Sequence, residues 1–282
     1  MLLLGYDVGS SSIKATILEA DTGRVVASAS SPRSEELDIM AVKPGWAEQD
    51  PELWWRHVKL ATAEMMAIGE IDRSHIEAIG ISYQMHGLVI VDKDHRPLRP
   101  AIIWCDSRAV EIGEEAFNSL GQERCLRQFL NSPGNFTASK LKWVMDNEPD
   151  IYAKIHKAML PGDYVAMKMT GDIATTSSGL SEGILWDFQN QDLAVSLLDH
   201  FGLSADMIPE IVPTFSNQGE LSGTAAEELG LRPGIKVAYR AGDQPNNALS
   251  LNVLNPGELA ATAGTSGVVY GIGDEPNYDL KS

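Results

Sequence analysis

The opening of the chain constrains its fold more than any other feature. Leu2–Val8 is a β-prone run that breaks at Gly9-Ser10-Ser11-Ser12 and resumes as Ile13–Leu18; Asp21-Thr22-Gly23 then leads into Val25–Ala29. Three strands separated by two turn signals predict an antiparallel meander. The same order returns late in the chain, where Leu259–Thr262, Gly264-Thr265-Ser266-Gly267 and Val268–Ile272 repeat strand, small-residue turn, strand. The 38 residues that follow Gln244 (282 − 244) are too few to bury a core of their own. The expectation is one N-terminal domain over 1–244, the start of a second over 245–282, and a natural protein longer than this chain.

Between these ends, Ser30–Gln49 reads as a loop. Asp50-Pro51-Glu52 then starts a helix: an Asp cap, Pro in the first turn and an acid beside the positive end of the dipole. Trp54, Val58, Ala61 and Met65 follow at helical spacing and predict one buried stripe. Ile76–Ser82, Leu88–Val91, Ala101–Trp104 and Lys236–Tyr239 read as strands. Ala109–Leu130, Thr137–Met145, Pro149–Ala158 and Asn246–Leu251 read as helices, and Ile173–Gln189 as irregular.

Composition narrows the function. Hydrophobic residues make up 44% and charged residues 22%, which fits a globular chain and excludes a disordered one. A net charge of −17 repels a phosphate backbone, so general nucleic-acid binding is not expected. An anionic substrate held locally by backbone N–H groups and a divalent cation is still allowed. No apolar run approaches the roughly 20 residues needed to span a bilayer, and Met1-Leu2-Leu3-Leu4 breaks too soon for a signal peptide. Cys105 and Cys125 alone build neither a disulfide framework nor a four-ligand zinc site, so a cytoplasmic protein with two reduced thiols is expected.

Several segments carry chemistry. Asp7-Val8-Gly9-Ser10-Ser11-Ser12 puts a carboxylate at a strand end before a turn of small donors, an arrangement able to hold polyphosphate with Asp7 near its metal ion; an ordinary hairpin turn is the plainer reading. Walker and Rossmann glycine loops are absent. Gly264-Thr265-Ser266-Gly267 is a second such turn, and the two could clasp one phosphate chain. Asp243, after Gly242 at a strand end, could take a proton from a substrate hydroxyl or simply cap the next helix. His86 could hydrogen-bond a polyol or be structural. Trp104 beside Asp106 suits a sugar, although such a Trp is more often core.

Taken together, these residues resemble the FGGY family of sugar kinases, within the actin-like, hexokinase-like ATPases. The segments that carry the resemblance run in order. They are Gly5-Tyr6-Asp7-Val8-Gly9-Ser10-Ser11, Trp46-Ala47-Glu48-Gln49-Asp50-Pro51, Gln84-Met85-His86-Gly87 and Ile103-Trp104-Cys105-Asp106-Ser107-Arg108. Phe136-Thr137-Ala138-Ser139-Lys140-Leu141-Lys142-Trp143, Leu160-Pro161-Gly162-Asp163-Tyr164, Ala241-Gly242-Asp243 and Gly264-Thr265-Ser266-Gly267 follow.

The resemblance implies an α/β protein of ribonuclease-H-like fold with ATP and sugar between two domains, and phosphorylation of D-xylulose to its 5-phosphate. It implies Asp243 as general base and Asp7 as the acid that positions Mg2+-ATP. Gly9, Ser10 and Ser11 would form the first phosphate loop, and Gly264, Thr265 and Ser266 the second. Met85, His86 and Gln244 would contact the sugar, with Trp104 and Asp106 as further pocket candidates. Asn135 stands where the pattern expects Gly, Ser177–Gly183 lacks the Asp of related Ser/Thr runs, and the adenine-binding part is not in this sequence, so the chain alone is expected to bind sugar without useful transfer. Another polyol (ribulose, gluconate or glycerol) and a non-catalytic sugar binder are the alternatives; the partners are a small sugar and ATP, and a homodimer is left open.

Overall fold

A computed structural model describes residues 1–34, 36–68, 71–263 and 267–279. The opening meander is present: β1 (Leu2–Val8) runs antiparallel to β2 (Ile13–Glu19), with Val8 opposite Ile13, and β2 runs antiparallel to β3 (Arg24–Ser31). β4 (Ile76–Tyr83) and β5 (Lys236–Gly242) add parallel strands on the other side of β1, which gives a five-stranded sheet in the order β5-β4-β1-β2-β3.

Strict alternation decides which face is buried. Leu4, Tyr6 and Val8 on β1, Ile13, Ala15 and Ile17 on β2, and Ile79, Ile81 and Tyr83 on β4 all point into one core. Helices cover that face. In α1 (Pro51–Ala67) the Asp50 side chain caps the first turn by accepting from the Glu52 N–H, and Trp54, Val58, Ala61 and Met65 are all buried.

Part of the segment 84–235, between β4 and β5, builds a second, mainly helical core, and the rest joins the core under the sheet. The helix expected over Ala109–Leu130 is two, α2 (Val110–Leu120) and α3 (Gln122–Phe129), broken at Gly121, whose φ of 97° no ordinary side chain tolerates. α4 (Thr137–Asn147) matches its expectation. The helix expected over Pro149–Ala158 lasts one turn, Pro149–Tyr152. Lys157–Met159 then pairs antiparallel with Val89–Val91, so a distant strand partner wins over local propensity.

α5 (Pro161–Thr170) had left no periodic trace, because residues Pro161–Met167 and Met169 are all buried and the helix has no polar face. The segment expected to be irregular, Ile173–Gln189, contains a strand at Ala174–Thr176 and α6 (Ser177–Glu182), capped by the Thr176 hydroxyl, which accepts from the Gly179 N–H at 3.1 Å. α7 (Val195–Phe201) packs in the same lobe; α8 (Gly223–Leu229) joins the sheet core. After β5, α9 (Asp243–Ser250) runs across the expected domain boundary. β6 (Leu259–Ala263) and β7 (Gly267–Gly271) form the late antiparallel hairpin. Gly264, Thr265 and Ser266 lie outside the described residues. Among the described residues no helix is long and apolar enough to cross a membrane.

Candidate active site

Register brings the candidate residues together. Val8 of β1, Tyr83 of β4 and Gly242 of β5 lie in one row across the parallel strands. Everything that follows them, Gly9–Ser12, Gln84–Gly87 and Asp243, therefore leaves the same sheet edge. The carboxyl ends of parallel strands are where open α/β sheets carry their ligands.

The first turn is tight. The Gly9 N–H donates to the Ser12 carbonyl at 3.1 Å, and a Cβ at Gly9 would stand 3.0 Å from that same oxygen, so a side chain there would make the turn give by a few tenths of an ångström. The loop is held from behind. Leu37 N–H donates to the Ser11 carbonyl, and the buried Gln49 amide donates to the Ser10 carbonyl at 2.7 Å. Gln49 Oε1 in turn accepts from Trp54 Nε1 and Gln84 Nε2. In front of the loop lies a cavity of about 390 Å³, with Asp7, Gly9, Ser10, Ser11, Lys14 and Asp243 among its walls. Lys14 pairs with Asp7 at 3.2 Å.

A second cavity of about 350 Å³ is lined by Met85, His86, Trp104, Asp243, Gln244 and Val268. Trp104 and Asp243 belong to both cavities. Trp104 is not core: it is 53% exposed, and its Nε1 donates to Ser10 Oγ at 3.4 Å, which links the two compartments. Asp243 does not cap α9. Gly242 holds the cap position, without a side-chain cap bond, and the Asp243 carboxyl stands at the first helical residue, with the Gln244 amide donating to it at 3.4 Å. Burial, and after it the nearby Asp7 carboxylate, raise the Asp243 carboxyl above the ordinary Asp range. A Cβ on Gly242 would meet Met85 Cγ at 2.4 Å, so this glycine lets Met85 lie against the strand that delivers Asp243.

His86 has a left-handed backbone, φ 61°. Its Nδ1–H donates to the Glu182 carbonyl at 2.9 Å, and the Phe136 ring meets its ring edge-on. Burial first of all lowers its pKa to about 4, so the ring is neutral at physiological pH. Asp106 is a correction. It is fully buried and lines neither cavity; it accepts from the Ala47 N–H at 2.6 Å and pairs with Arg108 at 2.6 Å. Arg108 lies against Trp46 and Trp143, so these motif residues brace the lobe rather than touch a ligand. Asn135 donates its amide to the Asp106 carbonyl.

Two residues at the site lie in segments that bear on the resemblance, Phe136–Trp143 and Ser177–Gly183, but the resemblance gives them no role. Glu182 ends a Ser-rich helix and Lys140 sits in the first turn of α4, and only the fold brings both to His86.

Among the described residues no cluster of three or more His, Cys, Asp or Glu could hold a metal by itself. Magnesium is commonly held by one or two carboxylates plus substrate phosphates. Asp7 and Asp243 in the wall of one cavity, beside the tight Gly9–Ser12 turn, fit that pattern.

A ribonuclease-H-like α/β fold with its site at the ends of the parallel strands defines an actin- and hexokinase-like protein. A model of the N-terminal domain of the FGGY family of carbohydrate kinases matches residues 2–250, and the chain belongs to that family. It is 34% identical over 276 residues to the xylulose kinase of Klebsiella pneumoniae, across 97% of this chain and 55% of that protein. Among solved structures, a "xyloylose kinase" from Brucella ovis superposes with a TM-score of 0.87 at 32% identity, over 95% of this chain and 54% of the other. A xylulose kinase from Rhodospirillum rubrum gives the same TM-score at 26% identity, over 95% and 54%. The chain spans about half the length of the curated relatives it matches.

Proposed function

We propose that this chain is the sugar-binding part of an ATP-dependent kinase that converts D-xylulose to D-xylulose 5-phosphate in the cytoplasm. The observation that carries this reading is that Asp243 lines both cavities: one carboxylate faces the hydroxyl-rich phosphate loop and the Met85/His86 pocket at once. A group placed there can take the proton of a sugar hydroxyl while that oxygen forms its bond to the γ-phosphorus and the bond to ADP breaks. Magnesium, when bound, neutralises charge on the transferring phosphates. The chain's own residues do the rest. Asp243 accepts the proton, Asp7 and Lys14 set the charge beside the loop, and Gly9, Ser10 and Ser11 cradle phosphate oxygens. Met85, His86, Gln244 and Trp104 hold the sugar so that its reactive hydroxyl faces Asp243. Gly264, Thr265 and Ser266 are assigned to the second phosphate loop on the resemblance.

Sugar-induced thermal stabilisation of this chain tests the reading. A ligand that binds only the folded form raises stability by mass action, about 2.7 kcal/mol at a hundred times its Kd. D-xylulose is expected to stabilise the chain, with D-ribulose, gluconate and glycerol weaker. Stabilisation by gluconate or glycerol without D-xylulose would replace the substrate, and no response to any sugar would remove the sugar site from this chain.

A further inference from the structure

His86 is gripped on every polar atom but one. Its main-chain N–H donates to Glu182 Oε2 at 3.0 Å, and its ring Nδ1–H to the Glu182 carbonyl at 2.9 Å. Its own carbonyl accepts from Lys140 Nζ at 2.7 Å. Lys140 Nζ also donates to the Ile103 carbonyl at 3.1 Å, so one ammonium ties the His86 loop to the loop carrying Trp104. Glu182 Oε1 lies 2.6 Å from the Tyr83 hydroxyl. Glu182 and Lys140 are both buried, and the chemistry proposed above uses neither.

Ionisable groups are costly to bury unless they are satisfied. Here both are spent on a single left-handed residue whose ring lines the ligand cavity. The geometry also fixes a proton. A carbonyl oxygen can only accept, so the bond to the Glu182 carbonyl requires hydrogen on Nδ1. A neutral imidazole with Nδ1–H carries a bare lone pair on Nε2.

We propose that Glu182 and Lys140 are positioning residues that lock His86 as the Nδ1–H tautomer, so that Nε2 faces the cavity as an acceptor and the site selects ligands that offer a hydroxyl proton there. The selection rests on the sugar-site reading above; the lock does not. An ether oxygen, a ketone or a fluorine at that point of the ligand has no proton to give and meets a lone pair.

The test is 15N-histidine NMR of this chain between about pH 6 and 8, with sugar titrations. His86 is expected as one neutral tautomer, protonated on Nδ1. Glu182→Gln can still accept from the His86 N–H with its oxygen and donate to the Tyr83 hydroxyl with its amide. It should keep the tautomer and hold the Kd for D-xylulose within about threefold of wild type. Glu182→Leu keeps the main-chain carbonyl at 182 but leaves the part-buried His86 N–H without its acceptor, so the ring is no longer held in line with that carbonyl; it should mix the tautomers and raise that Kd at least about tenfold. A ligand series with each hydroxyl replaced by fluorine should contain one analogue that binds Glu182→Gln and wild type equally poorly.

A wild-type ring protonated on Nε2, or a mixture of tautomers, overturns the proposal without any variant. So does a folded Glu182→Leu with unchanged tautomer and Kd. A locked Nδ1–H tautomer that no sugar perturbs supports the lock and overturns the sugar-site reading.

Discussion

Asp243 is where residue-scale physics bears most directly on function. A general base works only when ionised, so its rate contribution is lost as pH falls through its pKa. Burial and the Asp7 charge raise that pKa above the ordinary value of about 3.9. On the function proposed above, with Asp243 as the general base, the acid limb of kcat/KM should therefore lie higher than an exposed Asp would give. Asp7→Asn removes the like charge and should move the limb to lower pH in whatever activity remains; a limb that stays in place would separate Asp7 from Asp243. Asp243→Asn should cut phosphoryl transfer by roughly 10²–10⁴-fold, read as ADP formed, while the sugar Kd changes little. From the residues alone Asp243, a carboxylate after Gly at a strand end, is as readily a helix cap as a base; the fold gives the cap position to Gly242 and puts Asp243 on the cavity walls. Asp106 sits in a similar setting, after a strand, yet its carboxylate is consumed by Arg108 and the Ala47 N–H, which no local pattern announces.

At the scale of elements, the strands that carry the site were readable and their braces were not. β1, β2 and α1 advertise themselves through alternation, a cap and a stripe. α5 hides because it is buried all round, and Lys157–Met159 becomes a strand only through a partner more than sixty residues earlier in the chain. α5 contributes Asp163, whose carboxylate pairs with Arg240 of β5 at 2.8 Å; both groups are about 1% exposed. Arg240 also donates to Gln218 and to the Ala174 carbonyl, so it fixes the strand that leads into Asp243. Breaking a buried pair from one side strands the other charge. Arg240→Met should cost about 3–5 kcal/mol in denaturant unfolding, and adding Asp163→Leu should recover part of that loss.

α6 supplies a pH dependence of opposite sign to the usual carboxylate. Burial raises the Glu182 pKa to about 8, against about 4.3 when unfolded. The folded chain thus holds a proton that the unfolded chain releases. The sign follows from linkage: the group costs nothing below about pH 4.3, and stability falls as pH rises from there to about 8. Glu182→Gln, which mimics the neutral acid, should flatten that decline in a series of denaturant midpoints; an equally steep decline in the variant would place its origin elsewhere.

Among the described residues there are two hydrophobic cores, one under the sheet and one in the helical lobe, and the second cavity is walled by Met85, His86, Trp104, Asp243 and Gln244. A third body, the β6–β7 hairpin, completes it, since Val268 shares the second cavity with Met85 and His86. This hairpin is held differently from the rest. Leu259 is 68% and Val269 is 73% exposed, whereas Leu4, Val8, Ile79 and Ile81 of the central strands are at most 1% exposed. Segments with little buried apolar surface open at a lower free energy than the core around them. Amide hydrogens of β6 and β7 should therefore exchange well before those of β1 and β4, through openings that leave both cores intact. If the sugar sits where the proposed function places it, beside Val268, it binds only the form with the hairpin in place and should slow that exchange by mass action while leaving β1 unchanged. If the hairpin amides were as protected as β1 without ligand, the hairpin would be part of the central cooperative unit, and the cavity would be preformed rather than completed on binding.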